Sequence, residues 1–154
     1  MYQKILVPLD GSKLAECVLP HVESLAKGCQ VKSVQWVQVI EPLKPSAGGD
    51  YVISPELAAK INAEGKAEAE TYLKKLTSGL KWPGIYIGWE VLTGPVADTL
   101  AECATKSGAD LIIIATHGRS GVSRWIFGSV ADRILRSSCI PVLMVRAPGC
   151  LAGI

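Results

Sequence analysis

The sequence carries almost no excess charge of either sign. Among its 154 residues, 16 are lysine or arginine and 14 are aspartate or glutamate, which gives a formal net charge of +2. Proteins that bind nucleic acids or anionic membranes present a concentrated excess of positive charge. The sequence shows no such excess, so we expect neither nucleic acid nor a membrane as a partner.

Long hydrophobic runs are also missing. No stretch approaches the ~20 apolar residues that span a bilayer. The opening MYQKILVPLDGS lacks the successive basic, apolar and cleavage regions of a signal peptide. These absences predict a soluble protein of the cytoplasm.

Paired cysteines are the third absence. The five cysteines are an odd number, are widely scattered and include no Cys-x-x-Cys. Disulfide frameworks and zinc sites use closely spaced, paired cysteines. The spacing therefore favours reduced thiols that pack as small apolar side chains.

Five apolar runs of strand length alternate with four segments of helical periodicity. The strands are predicted at residues 4–10, 31–40, 84–92, 110–116 and 141–146, and the helices at 11–28, 54–76, 95–108 and within 129–138. This alternation predicts one α/β domain, in which helices cover both faces of a mostly parallel sheet.

Individual residues mark the ends and the interior of these elements. Ser12 and Ser54 are expected to cap the first two helices, and Pro20 is expected to kink the first. Trp36 and Trp89 fall within strands, so we expect both in the core.

Polar clusters follow the two most uniformly apolar strands. Residues 8–12, PLDGS, come after the first strand, and a long Gly/Ser/Arg-rich crossing comes after the fourth. In open parallel sheets, ligands bind beyond the carboxyl ends of strands whose connections leave in opposite directions. We therefore expect these two strands to be central and adjacent, with a binding site where they end.

The crossing after the fourth strand has the composition of a phosphate cradle. Gly118, Gly121 and Gly128 allow a backbone to approach a ligand closely, and Ser129 opens the last helix, where free N–H groups attract anions. Neither a Walker motif nor Gly-x-Gly-x-x-Gly is present. The residues alone leave a second interpretation open, in which Ser129 only caps the helix and the glycines only turn the chain.

These residues resemble the universal stress protein family over nearly the full chain. Members that bind ATP carry Gly-x2-Gly-x9-Gly-Ser/Thr after the fourth strand, and this chain reads Ala115-x2-Gly118-x9-Gly128-Ser129. Its ILVPLDGS near the start and PVLMVR near the end are also family-like. The resemblance implies one domain over residues 1–147 followed by a tail at 148–154. It also implies an open, mostly parallel five-stranded sheet in the order 3-2-1-4-5, of the adenine-nucleotide alpha-hydrolase-like type.

The resemblance further implies a bound adenine nucleotide, ATP or else ADP or AMP, with Mg²⁺ or Mn²⁺ held through its phosphates and not by protein side chains. The turn from Pro8 through Leu9 to Asp10 would flank the nucleoside, and the Val39 backbone would meet the adenine edge. The expected phosphate contacts are Gly118, Gly128, Ser129 and the Val130 amide, with Arg119 as a candidate partner.

One signature position differs. The first glycine is Ala115, which adds a single methyl group where the strand passes the ribose. Because φ at a strand end is negative, alanine is the mildest replacement for glycine there. We expect weakened binding at most.

The predicted role is regulatory. No residue is arranged to activate a water molecule, so we expect no catalytic residue and slow or no hydrolysis in a stress-associated protein. The alternatives are a nucleotide-free stress adaptor that acts through its dimer surface, and a weak ATPase. An apolar strand five at a sheet edge is an aggregation hazard, which predicts a homodimer through that strand, as the resemblance also implies.

Overall fold

Five parallel strands form one sheet in the order β3-β2-β1-β4-β5. The computed structural model describes residues 1–45, 53–116 and 129–146. The predicted strand order is confirmed. The elements are β1 (Lys4–Leu9), a 3₁₀ turn (Ala15–Val18), α1 (Leu19–Gly28), β2 (Ser33–Ile40), α2 (Pro55–Ser78), β3 (Tyr86–Thr93), α3 (Val96–Ser107), β4 (Leu111–Ala115), α4 (Ser129–Ser137) and β5 (Val142–Val145).

The most apolar strands occupy the centre of the sheet. Every residue of β4 is buried, as are five of the six residues of β1. Helices cover both of their faces, which explains why these strands lack the alternation of a half-exposed strand. β1 and β4 are adjacent, so the predicted neighbourhood is confirmed.

Successive side chains of each strand point to opposite faces of the sheet, which divides the core into two layers. Val7 and Trp36 pack on one face with α1 and with Leu73 of α2. Leu6 and Ile112 pack on the other face, against α3 and α4. Since successive strand residues point to opposite faces, each strand contributes to both layers.

The first predicted helix is two separate elements. The 3₁₀ turn ends at Val18, and α1 begins at Leu19 with Pro20 in its first turn. A proline there has no intrahelical hydrogen bond to lose, so Pro20 begins a helix and does not kink one. Ser12 likewise does not cap α1; its hydroxyl accepts from the Ala15 N–H at 3.2 Å.

The second helix begins as predicted. The Ser54 hydroxyl accepts from the Leu57 N–H at 3.2 Å, and Pro55 is the first residue of α2. The cap and the proline together define this helix start.

The two strand tryptophans differ in environment. Trp36 is fully buried, with its ring centroid 6.3 Å from that of Trp82. Trp89 is 38% exposed, so the prediction that it lies in the core is wrong. β3 is an edge strand with a neighbour on one side only, which leaves its side chains less covered.

The following observations on membrane-spanning helices and cysteines apply only to the part of the chain that the structure describes. None of its helices is both long and apolar enough to span a bilayer. Among its cysteines, Cys17, Cys29 and Cys103 are half-buried and Cys139 is exposed. The division into a domain at 1–147 and a tail at 148–154 stays a prediction, and residues 147–154 lie outside the described residues.

Candidate functional site

The amino ends of the two central strands are held together by one carboxylate. Asp110 precedes β4 and accepts from the backbone N–H groups of Gln3 (2.6 Å) and Lys4 (3.0 Å). The Asp110 N–H donates to the Lys4 carbonyl at 3.0 Å. Lys4 Nζ also donates to the Ser107 carbonyl at 2.7 Å. These bonds fasten β1 to β4 at the end opposite the predicted site.

Backbone pairing between the same strands stops before their carboxyl ends. The ladder consists of Ile5 with Leu111 and Leu6 with Ile112, although both strands continue to pair with their outer neighbours. In a parallel strand, the backbone groups of every second residue point to the same neighbouring strand, and those of Lys4 point to β4. Pro8 is therefore the next residue after Leu6 that faces β4, and a proline has no N–H to donate.

The helices that follow these two strands pack on opposite faces of the sheet. α1 follows β1 and packs through Val22 and Ala26 into the layer that contains Val7. α4 follows β4 and packs through Ala131 and Ile134 into the other layer. The boundary between β1 and β4 is therefore the topological switch point, where ligands of open α/β sheets bind.

β2 extends past the end of β1. The last pair between these strands joins Leu9 to Gln38, and β2 continues through Val39 and Ile40. The Ser33 N–H donates to the Gln3 carbonyl in the β1 direction, whereas the Ile40 carbonyl accepts from Gly94 next to β3. Val39 therefore directs its backbone toward β1, and its carbonyl faces the space beyond Leu9.

Ala115 faces the same space from the other side. Ile112 and Thr116 donate their N–H groups toward β5, to Pro141 (2.9 Å) and Val145 (2.8 Å). The intervening odd-numbered residues direct their backbones toward β1. Gln30 is the only residue other than glycine with a positive φ in the described part of the chain, so Ala115 has the conformation in which alanine replaces glycine without strain.

A tight turn carries Asp10 away from the end of β1. Gly11 has a φ of 81°, a left-handed conformation that glycine adopts without steric cost. Asp10 Oδ1 accepts from the Ser12 N–H at 2.9 Å and from the Ser12 hydroxyl at 2.6 Å. The turn is thus an Asx type, and it fixes the orientation of a half-buried carboxylate.

Sequence reasoning missed the side chains that contact Glu16, shortly after this turn. The Tyr72 hydroxyl, from α2, donates to Glu16 Oε1 at 3.3 Å, and Lys13 Nζ lies 2.8 Å from Glu16 Oε2. Burial, followed by the negative charges of Glu16 and Asp10, raises the pKa of Tyr72 well above its usual range. No local motif could indicate this contact, because 56 positions separate the two side chains.

The phosphate side of the predicted site is described only at α4. Ser129 is the first residue of that helix and Val130 is half-buried. Arg133 pairs with Asp98 at 2.9 Å, which ties α4 to α3. Gly118, Arg119 and Gly128 lie outside the described residues. Within those residues, no group of three or more His, Cys, Asp or Glu side chains could hold a metal ion.

Comparison with known proteins gives a consistent match. The family model described as the universal stress protein family matches residues 1–146. A universal stress protein of Methanocaldococcus jannaschii is 34% identical over 148 residues, which cover 96% of this chain and 84% of that protein.

Solved structures share the fold. A second M. jannaschii protein, solved to assign its biochemical function, matches with a TM-score of 0.71 at 26% identity, over 97% of this chain and 99% of its own. A universal stress protein from Lactobacillus plantarum matches with a TM-score of 0.79 at 18% identity, over 94% and 98%. The common fold is the adenine-nucleotide alpha-hydrolase-like one.

Several structures of the same fold were solved with adenine nucleotides. An Arabidopsis thaliana family protein with AMP has a TM-score of 0.64 at 14% identity, over 96% of this chain and 93% of its own. An Archaeoglobus fulgidus protein with dAMP has a TM-score of 0.55 at 23%, over 93% and 97%. A universal stress protein with cAMP has a TM-score of 0.59 at 20%, over 95% and 98%.

Proposed function

Because this chain belongs to the universal stress protein family, we propose that it binds an adenine nucleotide at the switch point between β1 and β4. The observation that carries the proposal is the divergence of α1 and α4 to opposite faces of the sheet from two adjacent strands. ATP is the expected ligand, with ADP or AMP as the related choices. The bound nucleotide regulates the protein's state in a cytoplasmic stress response.

The nucleoside half of the proposal rests on the groups beyond the end of β1. The Val39 carbonyl is an acceptor that suits the amino group of adenine, and the Asp10 carboxylate is an acceptor that suits ribose hydroxyls. Pro8 and Leu9 end the strand beneath them, and Ala115 borders the space from β4. These groups form a partly preorganised site, which lowers the cost of ordering on binding.

The phosphate half rests on the start of α4. Backbone N–H groups in the first turn, which includes Ser129 and Val130, are free of intrahelical bonds and carry the positive end of the helix dipole. Gly118, Gly128 and Arg119 are proposed to complete the cradle. A divalent cation, Mg²⁺ or Mn²⁺, would neutralise the phosphates and be held through them.

Ligands in proteins of the same fold support the choice of nucleotide. AMP, dAMP and cAMP share an adenine base and differ in sugar and phosphate. At 14–23% identity these structures show that the fold is shared and no more. The choice of adenine for this chain therefore depends on the acceptors that the chain itself presents.

Slow or absent hydrolysis is part of the proposal. The sequence from residue 112 to 131 contains no carboxylate, and Asp10 Oδ1 already accepts two hydrogen bonds from Ser12. Turnover should therefore lie well below the ~10 per second typical of enzymes. Phosphate release at enzyme-like rates that survives repurification would favour the weak-ATPase alternative.

Mass analysis of the small molecules released on denaturation of the purified protein tests the ligand directly. Calorimetry with ATP and Mg²⁺ then measures affinity in wild type and in Asp10→Ala. We expect an adenine nucleotide to be recovered, and Asp10→Ala to bind roughly tenfold or more weakly, because it loses hydrogen bonds to a charged acceptor. Wild-type protein that binds no adenine nucleotide, with either cation present, would favour the nucleotide-free adaptor.

A further inference from the structure

The Asp10 turn is connected to α2 by a series of hydrogen bonds that the backbone of the 3₁₀ turn links together. The first link is the Asp10 carboxylate, which accepts from both the N–H and the hydroxyl of Ser12. The second link is the Ser12 hydroxyl itself, which accepts from the Ala15 N–H at 3.2 Å. One hydroxyl therefore donates to Asp10 and accepts from the 3₁₀ turn, which uses its single proton and one lone pair.

The 3₁₀ turn is held at Glu16. Two side chains contact this carboxylate, Lys13 from the solvent side and Tyr72 from α2. The Lys13 side chain is 92% exposed, whereas that of Glu16 is only 17% exposed. Ion pairs with a fully solvated lysine contribute little, so Tyr72 is the contact that restrains Glu16.

Tyr72 is suited to restrain its partner. It packs against the core beside Leu73, which is fully buried, so its ring has a fixed base. Its raised pKa, caused first by burial, keeps the phenol protonated through the physiological range. The hydroxyl is therefore a constant donor to Glu16.

From this series we propose that Tyr72 is a positioning residue for the nucleotide site. Its hydroxyl holds Glu16, the 3₁₀ turn holds the Ser12 hydroxyl, and Ser12 sets the orientation in which the Asp10 carboxylate meets the nucleoside. The inference rests on the proposed function for its consequence in binding. The geometric part, that Tyr72 orders the Asp10 turn, concerns the protein without ligand.

Tyr72→Phe removes the hydroxyl and keeps the packed ring. We expect its affinity for ATP with Mg²⁺, measured by calorimetry, to fall roughly three- to tenfold, as for residues that act through a contact network. Tyr86→Phe is the matched control, because it removes the same group from a side chain that is 70% exposed on β3. The control should bind ATP as wild type does.

A double-mutant cycle separates positioning from general stabilisation. In an Asp10→Ala background, Tyr72→Phe should cause no further loss of affinity, because the carboxylate that it positions is gone. An equal loss in both backgrounds, or no loss in the wild-type background, would overturn the inference while the proposed function stands.

Hydrogen exchange in the nucleotide-free protein tests the geometric part. The N–H groups of Ser12 and Ala15 should exchange several times faster in Tyr72→Phe than in Tyr86→Phe, because their acceptors lose a restraint. Equal exchange rates would contradict the proposal. If wild type binds no adenine nucleotide, the proposed function fails, and the exchange rates still decide whether Tyr72 orders the turn.

Discussion

Pro8 shows how much one residue contributes to the site. A proline in a central strand removes a ladder hydrogen bond, and β1 is central to this sheet. The missing donor falls at the position where β1 would next pair with β4, beside the predicted nucleotide site. The loss of one backbone bond therefore coincides with the switch point, where a ligand can supply other partners.

Two cysteines should differ sharply in reactivity. Burial, with a smaller contribution from the Glu90 charge, raises the pKa of the Cys103 thiol, whereas Cys139 is exposed. A raised pKa lowers the thiolate fraction at any given pH below it, and the thiolate is the reactive form. Cys139 should be alkylated by iodoacetamide several times faster at pH 8, as followed by peptide mass spectrometry. Equal rates would show that Cys103 is not shielded.

Substitution of Ser129 is the most direct test of the proposed phosphate contacts. Ser129→Ala should weaken ATP binding about tenfold or more, because each lost hydrogen bond to a charged phosphate costs roughly 1.5–3 kcal/mol. Because Ser129 lies at the start of α4, its substitution should also lower the free energy of unfolding by about 1 kcal/mol. Calorimetry and thermal melting of the same preparation measure both. A loss of stability with no loss of affinity would support a purely structural serine.

At the scale of elements, the two ends of the β1–β4 pair differ in how they are hydrogen-bonded. The amino ends are joined by Asp110, which accepts from the N–H groups of Gln3, just before β1, and of Lys4, its first residue. The carboxyl ends lack ladder pairs beyond Leu6 and Ile112. One end of the pair therefore anchors the strands, and the other end carries the candidate site.

This division predicts that stability and binding can be separated. Asp110→Ala leaves two N–H groups without their acceptor and should lower the free energy of unfolding by about 2 kcal/mol. Asp110→Asn keeps one acceptor oxygen and should lose less. Nucleotide affinity should stay unchanged in both, since Asp110 lies at the opposite end of the sheet. Urea denaturation and calorimetry check the two quantities, and weaker binding in Asp110→Asn would contradict the separation.

At the scale of the whole molecule, the two sheet edges are unlike. β3 pairs with β2 along its full length of eight residues, whereas β5 has only four residues. Leu143 of β5 is 36% exposed and lies between half-buried Val142 and Met144. An apolar edge of this kind invites pairing with another strand.

We therefore propose a homodimer through β5. Wild-type protein should sediment as a dimer at micromolar concentration, and Leu143→Lys should shift it toward monomer by placing like charges across the interface. Tyr86→Lys, on the opposite edge, is the control and should remain dimeric. A wild-type monomer under these conditions, or an unchanged dimer in Leu143→Lys, would exclude this interface.

Local sequence was sufficient for the order of elements and for the strands at the centre. The uniformly apolar runs form β1 and β4, because only strands that are covered on both faces lack the alternation of apolar and polar residues. The helix start at Ser54 and Pro55 was also predictable, since it depends on neighbours within three positions. The prediction for Trp89 is wrong because strand propensity does not tell whether a strand lies at an edge.

Tertiary structure alone decided which groups meet. The sequence did not show that Asp110 would clamp Gln3 and Lys4, or that Tyr72 would reach Glu16, because these contacts join residues separated by 56 or more positions. The direction of the Val39 carbonyl likewise depends on the register of β2 with its two neighbouring strands. Such contacts depend on the register and packing of whole elements, which no short stretch of sequence encodes.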